Sequence, residues 1–139
     1  MMESKTLLKN ARARLLHIRV RQEDIDALRS TLLPSAVRYD KEKVQASPDG
    51  DSLSDTLGLI TEIEAELDRE RNAAAKAVKE AAALINRLEE PELRELLRLR
   101  YISCKSWAQI AVEMNYSERT LYRMHGDALK KADDILTGT

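Results

Sequence analysis

A short stretch near the C-terminus contains four polar side chains whose types and spacing suit contacts with the bases of DNA. These residues are Glu118, Arg119, Tyr122 and Arg123. Their spacing of one, three and one residues places them on one side of a helix. An arginine can donate two hydrogen bonds to guanine, and a glutamate can accept one from cytosine. The pattern therefore predicts base contacts in the major groove.

A second group of polar residues nearby suits contacts with the DNA backbone. Lysines and hydroxyl groups commonly bind phosphate oxygens, which position a protein without reading sequence. We expect such contacts from five residues: Lys105, Ser106, Ser117, Lys130 and Lys131. For His125, further along the same helix, we expect a phosphate contact or simple solvation rather than catalysis.

Local signals around these residues predict two short helices joined by a tight turn. Ser106 and Gln109 have the spacing of a capping box, which begins a helix. Asn115 falls where a left-handed backbone is needed, and asparagine tolerates that conformation better than most residues. Ser117 can cap the second helix. These signals place the base-contact candidates at the start of the second helix.

The apolar residues of this stretch have the spacing of a helix-turn-helix. Ala111 is small enough for two helices to cross closely, and Leu121 and Met124 lie three apart on the inward face of the second helix. In this motif the second helix enters the major groove with its N-terminal residues. The alternative is a small three-helix bundle with an ordinary charged surface.

The rest of the chain predicts an all-α protein. Ala, Leu, Glu, Lys and Arg make up 74 of 139 residues, a composition typical of long helices or coiled coils. Four Gly, three Pro and no Phe argue against a β-sandwich or barrel. The sequence predicts four segments: a basic amphipathic helix at 1–33, a connector loop at 34–53, a long acidic helix at 54–90 with Ser54 as its N-cap, and the helix-turn-helix domain at 91–139.

The two long helices are expected to form an antiparallel, coiled-coil-like arm. At ~1.5 Å per residue the second helix would be roughly 50 Å long, so it needs a partner along its length. Its apolar stripe begins at Leu57 and continues to Leu88. The partner is the first helix or another subunit, and we expect a homodimer or higher homo-oligomer through these helices.

The net charge of −1 conceals three blocks of different sign. Residues 1–46 are net +4, residues 47–95 are net −7, and residues 96–139 are net +2. The excess of acid therefore lies outside the helix-turn-helix, and the near-neutral total does not exclude nucleic acid. Because +2 is only mildly basic, we expect a dimer or RNA polymerase to supply the rest of the affinity for DNA.

Several function classes lack their sequence signatures. One cysteine, Cys104, excludes an intramolecular disulfide framework, and no P-loop, carboxylate pair or HExxH-type motif is present. We therefore expect no catalytic residues, no cofactor and no metal. No apolar run approaches the ~18 residues that span a bilayer, and no signal peptide is visible. The expected location is the cytoplasm, without membrane contact.

Residues 97–129, "LRLRYISCKSWAQIAVEMNYSERTLYRMHGDAL", resemble region 4 of the sigma-70 family. That resemblance implies a leading helix and a helix-turn-helix that binds double-stranded promoter DNA. The family's principal base-contacting positions match Glu118, Arg119 and Arg123. The family usually has Arg and then Glu at the first two positions, so its −35 specificity does not carry over. Nothing in residues 1–90 resembles region 2, which argues against a complete sigma factor.

Nearly the whole chain resembles small phage and prophage proteins of Gram-positive bacteria, similar to the ArpU and RinA type of transcriptional regulator. The most specific part is the segment Tyr116 to Leu129. The resemblance implies control of late phage genes, with RNA polymerase as a candidate partner. Two alternatives stay open: a DNA-packaging protein like a small terminase subunit, and a helical adaptor that uses the acidic helix 54–90 and does not bind DNA.

Overall fold

A computed structural model describes residues 3–32 and 50–138, and side-chain positions are described for residues 3–31 and 53–138. The predicted all-α class is confirmed, with five α-helices in the described residues. A five-residue π-helical segment, Arg98–Ile102, directly follows the third helix. The α-helices are α1 (Ser4–Leu32), α2 (Gly50–Asn86), α3 (Pro91–Leu97), α4 (Trp107–Met114) and α5 (Glu118–Thr137).

The chain divides into two compact units. The larger unit combines residues 1–16 with residues 73–139, and the smaller unit contains residues 17–72. The larger unit is therefore wider than the predicted domain 91–139, since it includes the start of α1 and the end of α2. The larger unit carries 15 basic and 11 acidic side chains, net +4, whereas the smaller unit carries 8 and 13, net −5.

In the smaller unit, α1 and α2 run antiparallel, as predicted for the arm. The buried side chains of Ile25, Ile60 and Leu67 form its core. Three cross-helix pairs lie outside that core: His17 with Glu70 at 3.2 Å, Arg21 with Glu66 at 2.6 Å, and Arg29 with Glu64. The acidic face of α2 is thus matched by basic residues of α1, although exposed pairs of this kind contribute at most about 1 kcal/mol each.

The main core of the larger unit is built from residues of α1, α2, α3, the π-helical segment and α5. Leu8 and Ala11 of α1 pack with the C-terminal end of α2 and with α3 and α5. This cluster of small and branched apolar residues explains why the end of α2 belongs to the same unit as the helix-turn-helix. Its buried members are Leu8, Ala11, Ala77, Ala81, Leu84, Ile85, Leu88, Leu93, Leu97, Tyr101, Ala128 and Ala132.

The first turn of α1 is anchored to α5 by a buried serine. The backbone N–H of Ser4 donates to Asp133 Oδ1 at 2.9 Å, and Ser4 Oγ lies 2.6 Å from the same oxygen. Ser4 Oγ is also 3.1 Å from the carbonyl oxygen of Leu129. A carboxylate at a helix N-terminus satisfies an otherwise unbonded N–H and complements the helix dipole. These contacts fix where the following basic residues of α1 lie.

Several predicted boundaries require correction. Helix α2 begins at Gly50, so the connector predicted at 34–53 is helical over its last four residues, and the rest of it, 34–49, lies outside the described residues. Ser54 lies inside the helix and therefore does not cap it. The helix ends at Asn86 rather than near residue 90, because a turn separates it from Pro91. Leu57, placed on the apolar stripe, is 45% exposed.

Candidate nucleic-acid interface

The two short helices begin and end with the capping interactions that the sequence predicts. Ser106 Oγ accepts from the backbone N–H of Gln109 at 3.2 Å, and Gln109 Oε1 accepts from the N–H of Ser106 at 2.9 Å. Asn115 has φ 59° and ψ 44°, the expected left-handed conformation. Ser117 Oγ accepts from the N–H of Thr120 at 3.1 Å. The predicted helix–turn–helix geometry is therefore present at α4 and α5.

A small apolar core holds α5 against α4 and the preceding segment. Leu96, Leu99, Ile110 and Leu121 are buried together, with Met124 packed against them. The inward positions predicted for Leu121 and Met124 are confirmed. Because these residues fix the rotation of α5 about its axis, they also decide which residues of its first two turns face solvent.

All four base-contact candidates are exposed at the start of α5. Tyr122 is 51% exposed, and its hydroxyl donates to Glu118 Oε1 at 3.3 Å. At 100° per residue, Glu118 and Tyr122 share one side of the exposed face, and Arg119 and Arg123 share the other. The structure therefore brings the four together on one accessible surface.

The five phosphate-contact candidates have different environments. The hydroxyl oxygens of Ser106 and Ser117 cap α4 and α5. Lys105 forms an ion pair with Glu113, whereas Lys130 is exposed. Lys131 forms ion pairs with Glu90 and, at 3.4 Å, with Asp127, and the bond to Glu90 raises the pKa of Lys131. The structure does not gather these five residues into one site.

A cleft of about 490 Å³ lies on the Glu118–Tyr122 side of α5, at the position of His125. We call it the cationic cleft because four of its lining residues are Lys or Arg and none is Asp or Glu. Its lining residues are Lys5, Lys9, Arg12, Ala13, Leu16, Arg100, Tyr101, Trp107 and His125. All of them belong to the larger unit.

Two arginines at the cleft are held in place by backbone oxygens. Arg12 Nε donates to the carbonyl oxygen of Arg100 at 3.1 Å, and Arg100 Nη1 donates to that of Lys105 at 3.1 Å. The Arg100 guanidinium lies 4.7 Å from the centre of the Trp107 ring, within range of a cation–π interaction. Burial and the charge of Arg12 lower the pKa of Arg100. The π-helical segment supplies Arg100 to this site.

His125 forms the wall that α5 contributes to the cleft. Its Nε2 lies 2.6 Å from the hydroxyl of Tyr101, and its ring meets Trp107 edge-on at 4.9 Å. Burial, with the charges of Arg100, Lys5 and Lys9, lowers the pKa of His125 to about 4. The imidazole is therefore neutral at pH 7.

The opposite side of α5 has a groove of about 450 Å³ with the reverse charge balance. We call it the acidic groove because three carboxylate residues line it and Arg123 is its single cation. The hydroxyl of Tyr116 donates to Glu92 Oε1 at 2.9 Å, and this bond raises the pKa of Tyr116. The groove is lined by Glu90, Pro91, Glu92, Leu93, Tyr116, Thr120, Arg123, Met124 and Asp127.

Two kinds of feature are missing from the residues that the structure describes. None of the helices in residues 3–32 and 50–138 is long and apolar enough to cross a membrane. Within the same ranges, no group of three or more His, Cys, Asp or Glu side chains is placed to hold a metal ion.

Comparison with known proteins identifies a family for the chain. No curated protein and no solved structure matches it. The sequence profile of one family matches residues 35–133, which is well over half of the chain, and the family's description is "Protein of unknown function (DUF1492)". The chain therefore belongs to the DUF1492 family.

Proposed function

We propose that this protein binds double-stranded DNA through α4 and α5 and acts as a transcriptional regulator at a promoter or operator. The observation that carries the proposal is the exposed group Glu118, Arg119, Tyr122 and Arg123 at the N-terminal end of a capped, well-anchored α5. A helix presented in this way can enter a major groove, where arginine and glutamate distinguish base pairs.

The distribution of charge supports the proposal. The larger unit, which contains the helix-turn-helix, is net +4, twice the value of residues 96–139 alone. The increase reflects the basic start of α1, which packs in this unit. Because phosphate contacts supply most of the non-specific affinity for DNA, a basic unit favours binding even when the whole chain is net −1.

The resemblance to sigma-70 region 4 and to ArpU- and RinA-type proteins narrows the proposal. It favours a regulator of phage or prophage genes, with RNA polymerase as a second partner. Because Glu118 precedes Arg119 in this chain, the −35 specificity of the sigma-70 family does not carry over and is not part of the proposal. The antiparallel helices of the smaller unit are the proposed site of self-association.

The adaptor alternative depends on a free acidic surface along α2. In the smaller unit, three glutamates of α2 already pair with basic residues of α1. This internal pairing leaves less acidic surface for another protein, and it favours the DNA-binding proposal.

The test is a binding titration with DNA from the gene's own neighbourhood and with a shuffled duplex of equal length. In ~50 mM salt we expect the wild type to prefer the native duplex, and log K to fall with log salt by ~0.9 per phosphate neutralised. Arg119→Ala removes a base contact worth about 1–3 kcal/mol, so the preference should fall roughly 5- to 150-fold. Arg69→Ala, at an exposed position of α2, is the matched control.

Absence of wild-type binding to either duplex in ~50 mM salt would refute the proposal. Self-association needs its own measurement, native mass spectrometry across a range of concentrations. A dimer is expected for the regulator, whereas a closed ring of many subunits would favour the DNA-packaging alternative.

A further inference from the structure

The cationic cleft concentrates positive charge without an internal counter-charge. Lys5, Lys9 and Arg12 are spaced four and three residues apart, so they lie on one face of α1, and Arg100 approaches from the π-helical segment. Among the residues that the structure describes, these four cations form no ion pair with a carboxylate. Like charges held close together raise the free energy of the unbound protein, and a bound anion relieves that repulsion.

The position of the cleft relative to α5 suits a backbone phosphate. His125 lies seven residues beyond Glu118 on the same side of the helix, about 10 Å along its axis at ~1.5 Å per residue. The major groove is about 12 Å wide, and its walls are the phosphate backbones. When the first turn of α5 contacts base edges, the cleft therefore lies at the distance of the phosphates beside them. Tyr122, which touches Trp107 edge-on at 5.1 Å, connects the two regions.

We propose that the cationic cleft is a phosphate-binding site in which Lys5 and Lys9 of α1 act together with Arg100, and that its ligand is the DNA backbone flanking the bases contacted by α5. The choice of DNA rests on the proposed function, whereas phosphate binding itself does not. A free nucleotide or pyrophosphate offers the same chemistry, so the experiment separates these two sources.

The fluorescence of Trp107 can report binding at this site, because Trp107 lines the cleft and is the single tryptophan of the chain. An anion bound near Arg100 changes the environment of the indole and therefore its fluorescence. The test variant is Lys5→Gln/Lys9→Gln. The matched control is Lys76→Gln/Lys79→Gln, which removes the same charge at two exposed positions of α2 away from the cleft. Circular dichroism checks that each variant is folded.

The first arm of the experiment measures DNA affinity against salt. We expect Lys5→Gln/Lys9→Gln to reduce the slope of log K against log salt by ~0.9 for each phosphate that the variant no longer neutralises, and the control to keep the wild-type slope. Preference for the native over the shuffled duplex should be unchanged, because the cleft reads no bases. That last result distinguishes the site from the base-contact surface at Arg119.

The second arm titrates pyrophosphate alone while Trp107 fluorescence is recorded. A saturable change that Lys5→Gln/Lys9→Gln abolishes and the control keeps supports a phosphate site even if the wild type binds no DNA. In that case the proposed function fails, and the source of the phosphate is a free ligand. If the test and control variants behave alike in both arms, the cleft binds no phosphate and the proposal is wrong.

Discussion

The two sides of α5 differ sharply in charge. Towards Glu118 and Tyr122 lies the cationic cleft, with four cations and no carboxylate among its lining residues. Towards Arg123 lies the acidic groove, with three carboxylate residues and one cation. If the protein binds DNA as proposed, we expect the DNA backbone to be attracted to the first side and repelled by the second. The proposed recognition helix is therefore electrostatically asymmetric across its axis, which favours one direction of approach to a duplex.

The asymmetry arises from elements distant in the chain. The cations of the cleft come from α1 and the π-helical segment, and the acids of the groove come from the start of α3, the residue before it, and Asp127 of α5. Salt screens interactions between exposed charges, with a Debye length of about 8–10 Å at physiological ionic strength. Raising the salt concentration should therefore weaken the effect of both sides on DNA binding.

The largest expected effect is the loss of stability caused by truncating Leu121, which anchors α5 and so fixes the orientation of its two sides. Leu121 is fully buried, and Leu121→Ala should lower the free energy of unfolding by about 2–5 kcal/mol, because a cavity replaces packed methyl groups. Urea denaturation followed by circular dichroism measures the change. Val112→Ala, at an 82% exposed position of α4, is the control and should stay within about 0.5 kcal/mol of wild type. A decrease below about 1 kcal/mol for Leu121→Ala would show that this residue does not anchor α5.

Neutralising the acidic groove should raise DNA affinity, the opposite sign to the change in the cleft. Glu92→Gln/Asp127→Asn removes two negative charges beside Arg123 and also releases Lys131 from one ion pair. Exposed charge interactions of about 0.2–1 kcal/mol correspond to an increase of roughly 1.4- to 5-fold in low salt.

The control for this change is Glu23→Gln/Asp24→Asn, at exposed positions of α1 in the smaller unit. The two double variants alter net charge equally, so they separate local from overall electrostatics. An equal gain in affinity from both would mean that only net charge matters, and the asymmetry across α5 would have no role in binding.

A smaller effect is expected from the pH dependence of His125. Its pKa in the folded protein is about 4, below the ordinary 6.5, so the unfolded chain binds more protons between these values. Stability contributed by the neutral imidazole is therefore complete above pH 6.5 and declines as the pH falls towards 4. His125→Gln should flatten this part of the dependence of Tm on pH, relative to wild type.

Proton NMR can measure the pKa of His125 directly and test whether the cations of the cleft lower it. Lys5→Gln/Lys9→Gln removes two nearby positive charges, so the His125 pKa should rise from about 4 towards its ordinary value. Lys76→Gln/Lys79→Gln should leave it unchanged. A wild-type midpoint close to 6.5 would contradict both the burial of the ring and its proximity to the cations.

The sequence predicted the helix-turn-helix well because its determinants are local. Capping involves residues three apart, such as Ser106 and Gln109, and the left-handed turn follows from the conformational tolerance of Asn115. The start of α2 was harder to predict, because turn-forming residues around Gly50 obscure the beginning of that helix.

The cationic cleft could not be predicted because its two halves are distant in sequence. Arg12 and Arg100 are 88 positions apart and meet only through tertiary packing. The π-helical segment that carries Arg100 breaks the 3.6-residue period on which helix prediction depends, and Cys104, with φ 59°, follows it in a conformation uncommon for cysteine. The sequence does show half of the site: Lys5, Lys9 and Arg12 have the spacing of one helix face within a block that is net +4, but that spacing does not locate Arg100 beside them.

The smallest expected effect is a difference in the salt dependence of DNA binding between variants of two adjacent lysines, Lys130 and Lys131. The sequence analysis predicts phosphate contacts for both. Lys130 is exposed, whereas Lys131 bonds to Glu90, 41 positions away, and to Asp127. Lys130→Gln should therefore reduce the slope of log K against log salt by up to ~0.9, and Lys131→Gln by less, because its charge is already partly neutralised. Equal slopes for the two variants would show that DNA draws Lys131 away from its carboxylates. The acidic side of α5 would then contribute a phosphate contact instead of repelling the duplex. In that case the cationic cleft alone would not set the direction of binding.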